Sequence, residues 1–151
     1  MKLSAILALC LLVVTKAHAV VTGEMLMVRS TEAFPETMAL LQEAISKQGY
    51  TLSRIQRVDV GLSAKGYKTD KYRVVFFGKG EQIQQLSTHY PQLIPYLPLK
   101  IAIYAEGDNT ILISANPSVF HDMFQLDELK PTFERWLKDI STILNTVQTQ
   151  N

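Results

Sequence analysis

The chain contains a single cysteine, Cys10, and one cysteine cannot form a disulfide within a chain. It also lacks the short motifs that mark several classes of enzyme: G-x-S-x-G, H-E-x-x-H, a phosphate-binding glycine loop and C-x-x-C. No local pattern therefore identifies a catalytic nucleophile, a zinc site or a nucleotide site.

An excess of positive charge is missing as well. The 15 lysines and arginines are balanced by 14 acidic residues, which gives a net charge of +1. A nucleic-acid-binding domain is expected to carry a basic patch and a high pI, and a segment that binds anionic lipid carries a basic cluster. The sequence has neither feature, so we predict no nucleic-acid partner.

Residues 1–19 have the organisation of a cleavable secretory signal peptide. Lys2 supplies the positive charge, Leu3 to Val14 form an almost unbroken apolar run, and Ala17 and Ala19 place small residues at −3 and −1. The apolar run is about a dozen residues long, whereas a membrane-spanning helix needs roughly 20. We therefore predict cleavage after Ala19, a periplasmic or secreted protein, and no stable membrane span after cleavage.

Cleavage at this position also limits the chemistry of the mature protein. It removes Cys10, Lys2 and Lys16, and it leaves 13 basic residues against 14 acidic ones, a net charge of −1. Thiol catalysis is thereby excluded. Leu9 occupies the position before Cys10 where a lipoprotein signal needs a small residue, so we do not expect lipidation. Residues 20–151 have the length of one domain.

Alternating apolar residues predict five strands after a flexible lead at Val20–Gly23. The strands are Met25–Val28, Tyr50–Val60, Tyr72–Phe77, Leu99–Tyr104 and Thr110–Ser114. The second strand is expected to place Tyr50, Leu52 and Arg54 on one face, with a possible bulge near Ile55. Residues 61–71 are polar and contain glycine, which predicts a loop.

Apolar residues at helical spacing predict two main helices. The first covers about residues 35–48, with Pro35 in its first turn and Gly49 ending it. The second begins near Pro131 and continues to the C-terminus, and a short helix is expected over Glu81–His89. The resulting order of elements favours an α+β fold, in which a mostly antiparallel sheet has the helices on one face.

Several short motifs follow one another in a recognisable order along residues 24–120. The first group is Met27–Ser30, Phe34, Glu36-Thr37, Leu41, Ile45 and Gly49-Tyr50. Val75–Gly78 follows in the middle of the chain. The last two are Leu97–Ile101, which begins with the sequence LPLK, and Asn116-Pro117. This order resembles the bacterial domain-of-unknown-function family 302. The resemblance implies a TATA-binding-protein-like fold, with a curved, mostly antiparallel sheet and two main helices on one face. It implies no activity.

The sequence departs from the family pattern in two places. Family members often have Asn-Pro where this chain has Lys79-Gly80, and many have a histidine where Val60 follows Asp59. If those positions form a shared polar site, part of that site is lost here. The helix from Pro131 lies at the edge of the resemblance. It is therefore interpreted as an extension particular to this chain.

Four residues are weak candidates for ligand binding. Lys100 begins an apolar strand, where burial would lower its pKa and make it a base or an anion contact, unless its amine snorkels to water. Asp59 can pair with Lys100 or Arg57, either to orient a ligand or as a structural ion pair. Gly78 and Lys79 precede a helix, where backbone N–H groups can bind a phosphate. The alternative is that this glycine-containing segment is a turn without a ligand, which is the more common case.

The residues that bind metals in other proteins are poorly arranged here. Those considered are His89, His121 and Asp122, and the strand pair Met25 and Met27. The histidines lack the close spacing of zinc ligands, and methionines in an apolar strand are usually core residues rather than copper ligands. We predict no metal and no cofactor.

Three hypotheses for the function remain open. The first is a non-enzymatic, exported domain that binds a small anionic ligand or a protein partner, with the ligand near the LPLK element, Gly78 and Asp59. The second is an enzyme that uses Asp59 and Lys100 as an acid–base pair, which requires their side chains to converge. The third is a structural homodimer formed through an exposed apolar patch around Tyr90 and Tyr96.

Overall fold

The computed structural model describes residues 20–148, so the predicted signal peptide and its cleavage site after Ala19 lie outside the described residues. The strands are β1 (Val20–Thr22), β2 (Met25–Ser30), β3 (Thr51–Arg57), β4 (Tyr72–Gly78), β5 (Leu99–Glu106) and β6 (Asn109–Ala115). The α-helices are α1 (Phe34–Lys47), α2 (Val58–Ser63), α3 (Gly80–His89), α4 (Val119–Phe124) and α5 (Lys130–Gln148). Two short 3-10 helices lie at Pro91–Tyr96 and Asp127–Leu129.

The six strands form one antiparallel sheet in the order β1-β2-β6-β5-β4-β3. Side chains of a strand alternate between the two faces of a sheet, and β2 and β5 show this alternation clearly in their burial. Helices α1 and α5 pack on one face, which we call the helix face, and the opposite side we call the open face. The predicted α+β fold with two main helices on one face is confirmed.

The core lies between the helix face and the two main helices. Strands contribute fully buried side chains such as Leu26, Val75 and Ile101, and α1 contributes Leu41 and Ile45. Helix α5 contributes seven buried positions if Leu129, just before its start, is included: Leu129, Phe133, Trp136, Ile140, Ile143, Leu144 and Val147. Burial of this apolar stripe is the main force that holds α5 to the sheet.

Three local predictions were wrong. Residues 20–22 are not a flexible lead, because they form β1 and pair with β2. The second predicted strand ends at Arg57, and Val58–Ser63 form α2 where strand and loop were expected. The bulge lies between Leu52 and Arg54 rather than near Ile55. Among residues 20–148, the structure contains no helix with the length and apolarity needed to cross a membrane.

Candidate functional site

The open face of the sheet carries a continuous set of apolar side chains, and among residues 20–148 the two main helices α1 and α5 pack on the other face. Its central members are all partly exposed: Tyr72, Val74 and Phe76 on β4, Ala102 and Tyr104 on β5, and Ile113 on β6. Met25 and Met27 extend the set onto β2 and are 44% and 40% exposed. Isolated apolar residues at a surface are ordinary, whereas a contiguous patch marks an interaction site.

One row across the open face combines an aromatic ring with two cations. Arg54 pairs with Phe76, and Phe76 pairs on its other side with Lys100, so the three side chains share a face. Arg54 is exposed, and Lys100 is partly exposed and donates from Nζ to the carbonyl oxygen of Pro95 at 3.3 Å. The Lys100 amine therefore lies at the end of the sheet. This resembles the alternative considered from the sequence, in which the side chain snorkels and keeps its amine near water.

Two cavities lie along this face. The larger has a volume of about 570 Å³ and is lined by Tyr72, Ala102, Tyr104 and Ile113, together with the loop at 69–71. The smaller measures about 280 Å³ and is lined by Arg54, Phe76 and Pro98, among others. Small-molecule sites usually occupy about 300–1,000 Å³ and are largely apolar with a few polar groups. The larger cavity falls in that range.

The structure separates Asp59 from Lys100, which corrects the predicted acid–base pair. Asp59 lies in α2 and forms an ion pair with Arg73, and both side chains are only 15% exposed. The guanidinium of Arg73 lies 5.7 Å from the centroid of the Phe34 ring, on the helix face. The hydrogen bond from Arg73 lowers the pKa of the Asp59 carboxyl. Lys100 lies on the opposite face of the sheet, so the two side chains do not converge.

Gly78 lies beside the LPLK element, because a Cβ on it would be 3.8 Å from Cβ of Pro98. Asp59 does not join this group, so the expectation of one site shared by all these residues is wrong. A Cβ on Gly78 would lie 2.3 Å from Cδ1 of Ile83, which explains why a residue without a side chain stands there. The amine of Lys79 lies 4.9 Å from the centroid of the Tyr50 ring. Gly78 and Lys79 are at one end of β4, and Arg73 is near the other.

Comparison with known proteins gives the family. The model of a domain of unknown function, DUF302, matches residues 26–147. The chain belongs to this family. A crystal structure of an uncharacterized conserved DUF302 protein from Bacillus stearothermophilus is similar, with a TM-score of 0.75 and 17% identity over 83% of this chain and 99% of that one. This likeness shows the shared fold, and no curated protein matches the chain.

The DUF302 match reaches further than the resemblance noted from the motifs, which stopped near residue 120. It includes nearly all of α5, so this helix is part of the family domain and not an extension particular to this chain. At the first departure from the DUF302 pattern, Lys79 lies over Tyr50, whose hydroxyl donates to Asp139 of α5 at 2.7 Å. Burial and this hydrogen bond raise the pKa of Tyr50.

Asn116-Pro117, one of the short motifs on which the resemblance rested, has a structural role. The Asn116 side chain is buried, and its Nδ2 donates to the carbonyl oxygen of Gly23 at 2.7 Å. Its Oδ1 accepts hydrogen bonds from the backbone N–H and the hydroxyl of Ser118 at 3.0 and 2.8 Å. The side chain thus joins the turn before β2 to the turn after β6.

Two smaller expectations about surface residues were wrong. Met25 and Met27 are exposed on the open face and do not fill the core. Tyr90 and Tyr96 do not form an exposed patch, because both pack against the core, and the Tyr96 ring contacts Phe120 at 4.9 Å between centroids. A homodimer through that patch has no support from this arrangement.

His121 lies in a network of two carboxylates. Its Nδ1 is 2.9 Å from Oδ1 of Asp122, and its Nε2 is 2.8 Å from Oδ1 of Asp127. Only the protonated imidazolium donates from both nitrogens, so these contacts raise the pKa of His121. Within residues 20–148, no group of three or more His, Cys, Asp or Glu side chains has a geometry that could hold a metal ion.

This network predicts an acid-stabilised corner between α4 and α5. Because the folded-state pKa of His121 is raised above the ordinary 6.5, its stabilising contribution is complete below that value and is lost as the pH rises through the folded-state pKa. NMR titration of the ring should show His121 titrating above the ordinary value of 6.5. Asp127→Asn should bring the pKa of His121 down towards 6.5, and an unchanged titration in that variant would contradict the assignment.

Proposed function

We propose that this DUF302 protein is an exported, non-enzymatic binding domain that holds an apolar small molecule on the open face of its sheet. The observation that carries the proposal is the apolar face around Ala102, with a cavity of about 570 Å³ on the side of the sheet opposite α1 and α5. Burial of such a surface by a ligand is favourable by about 25 cal/mol per Å² of apolar area. The signal-like pattern of residues 1–19 supports export.

The charged residues of the candidate site support binding rather than catalysis. Asp59 is held by Arg73 on the helix face and does not face the cavity. The cavity is lined by Tyr72, Ala102, Tyr104 and Ile113, and the adjoining loop adds one residue of each charge, Asp70 and Lys71. Such a lining offers shape and apolar contact, which suits a binding domain, and its hydroxyl and peptide groups orient a ligand.

Binding of the neutral apolar dye N-phenyl-1-naphthylamine tests the proposal. We expect dye fluorescence to rise on addition of the purified protein, because the dye leaves water for the open face. Ala102→Glu places a carboxylate in the cavity lining and should weaken binding at least about tenfold, since a charge is costly to desolvate. The matched control is Ala39→Glu, which makes the same change on the exposed side of α1 and should leave binding unchanged.

NMR of the unmodified protein provides a second measurement that does not depend on a variant folding correctly. Dye-induced shifts should concentrate on Val74, Phe76, Ala102, Tyr104 and Ile113. Shifts confined to the helices would contradict the proposal. So would sedimentation that shows a stable dimer from which the dye is excluded, because the open face would then be an interface between two copies.

A further inference from the structure

We propose that the ligand of the open face is an amphiphile with one apolar chain and one anionic head group, the head group lying between Arg54 and Lys100. This inference rests on the proposed function and specifies its ligand class. The proposed ligand is a single amphiphile molecule that lies along the strands, and it is not a membrane surface.

The cations at one end of the face are placed to share a single head group. Neighbouring strands lie about 4.8 Å apart, so the backbones of Arg54 and Lys100 are separated by roughly 10 Å with Phe76 between them. Both side chains are long enough to reach an anion above the Phe76 ring. Within residues 20–148, neither cation has an ion-pair partner, and Lys100 donates only one of its three hydrogens, to Pro95.

An apolar track leads away from this row along two strands. Val74 and Tyr72 follow Phe76 on β4, and Ala102 and Tyr104 follow Lys100 on β5. The track from residue 100 to residue 104 is about 13 Å long, at roughly 3.4 Å per residue. It ends in the larger cavity, where the small side chain of Ala102 leaves space for a chain.

Charges of both signs lie at the far end of the track, which gives the ligand a preferred direction. Asp70 and Lys71 both line the larger cavity, and the Lys71 amine lies 5.9 Å from the centroid of the Phe34 ring. Arg29 forms an ion pair with Glu106. Arg54 and Lys100 are a row of two cations at the other end, so we place the anionic head there.

The experiment compares three probes with the same chain and different head groups: dodecanoate, dodecanol and dodecyltrimethylammonium, each below its micelle concentration. Displacement of N-phenyl-1-naphthylamine from the purified protein measures their affinities. We expect dodecanoate to bind about tenfold more tightly than dodecanol, and the cationic probe to bind most weakly, because two exposed charge contacts each contribute about three- to fivefold. The preference should shrink as salt is added.

Single variants assign the preference to residues. Arg54→Gln and Lys100→Gln should each weaken dodecanoate binding about three- to fivefold and leave dodecanol binding within about twofold. Arg57→Gln is the matched control, because it removes the same charge from the same strand at a position paired with Arg73 of the helix face. This control should not change the affinity for dodecanoate.

The outcomes separate the ligand class from the proposed function. Equal affinities for the three probes, unaffected by Arg54→Gln and Lys100→Gln, would overturn the head-group assignment and leave the apolar binding face intact. Failure of all three probes and of the dye to bind would overturn both proposals. Binding to dodecanoate only as micelles, or only to anionic vesicles, would overturn the monomeric ligand.

Discussion

Phe133→Ala is expected to lower the free energy of unfolding by about 3–5 kcal/mol, since removing a fully buried ring also leaves a cavity. Phe133 is 0% exposed, and its ring contacts Phe120 and Trp136 at 5.7 Å between centroids. A domain of this size is stable by about 5–15 kcal/mol, so the variant should lose much of its stability. Urea unfolding followed by circular dichroism measures the change.

Glu134→Ala is the control for this experiment, because it truncates the next residue of the same helix on the exposed side. We expect its free energy of unfolding to stay within about 0.5 kcal/mol of that of the parent protein. If Phe133→Ala were equally mild, α5 would be loosely attached and the core described here would be incorrect. A large loss supports α5 as an integral part of the DUF302 domain, in agreement with the family match to residue 147.

Arg73→Met is expected to destabilise the protein by about 2 kcal/mol at neutral pH. This value lies between the roughly 0–1 kcal/mol of an exposed ion pair and the 3–5 kcal/mol of a broken buried pair. The Asp59–Arg73 pair is intermediate because both side chains are 15% exposed. Methionine preserves much of the side-chain length over Phe34. The loss of stability therefore reports the effect of leaving the Asp59 carboxylate without its ion-pair partner.

The pH dependence of the same variant gives a sharper test. The folded-state pKa of Asp59 is depressed below its ordinary value of 3.8, so its contribution is present above pH 3.8 and disappears as the pH falls through the folded-state pKa. The difference in free energy of unfolding between the parent and Arg73→Met should therefore be constant around neutral pH and should shrink as the solution becomes acidic. Unfolding curves between neutral and acidic pH measure this difference.

Arg29→Met serves as the comparison, since Arg29 and Glu106 form an ion pair with side chains 52% and 51% exposed. Solvent screens such a pair, and we expect a change of at most about 1 kcal/mol. A loss in Arg29→Met as large as that in Arg73→Met would show that burial does not distinguish the two pairs. It would also remove the argument that Asp59 forms a structural ion pair with Arg73.

Local patterns predicted most of the elements, and the exceptions have local explanations too. Helix α1 was expected over about residues 35–48 and covers Phe34–Lys47, because Pro35 and Gly49 mark its ends. Helix α2 was missed because Val58–Ser63 is short and contains Gly61, which is typical of a loop. Strand β1 was missed because three residues carry too little periodicity to identify a strand.

The candidate site could be predicted less well than the fold. Lys100 was singled out from its apolar surroundings, and it does lie on the open face, but Arg54 and Phe76 were not among the candidate ligand-binding residues. Sequence alternation alone assigns Arg54 to the same face as Leu52. The bulge at Ser53, whose hydroxyl donates to the carbonyl oxygen of Phe76 at 3.2 Å, reverses that assignment. The pairing register of β3 with β4 is what brings Arg54 opposite Phe76.

The sequence by itself determined the class of the fold and the family, because apolar periodicity and short motifs are properties of neighbouring residues. Only the tertiary structure decided which side chains meet. Asp59 meets Arg73 on the helix face, while Lys100 shares the open face with Phe76 and Arg54. The physical reason is that strand register and bulges depend on pairing between distant segments, and a shift of one residue moves a side chain to the opposite face.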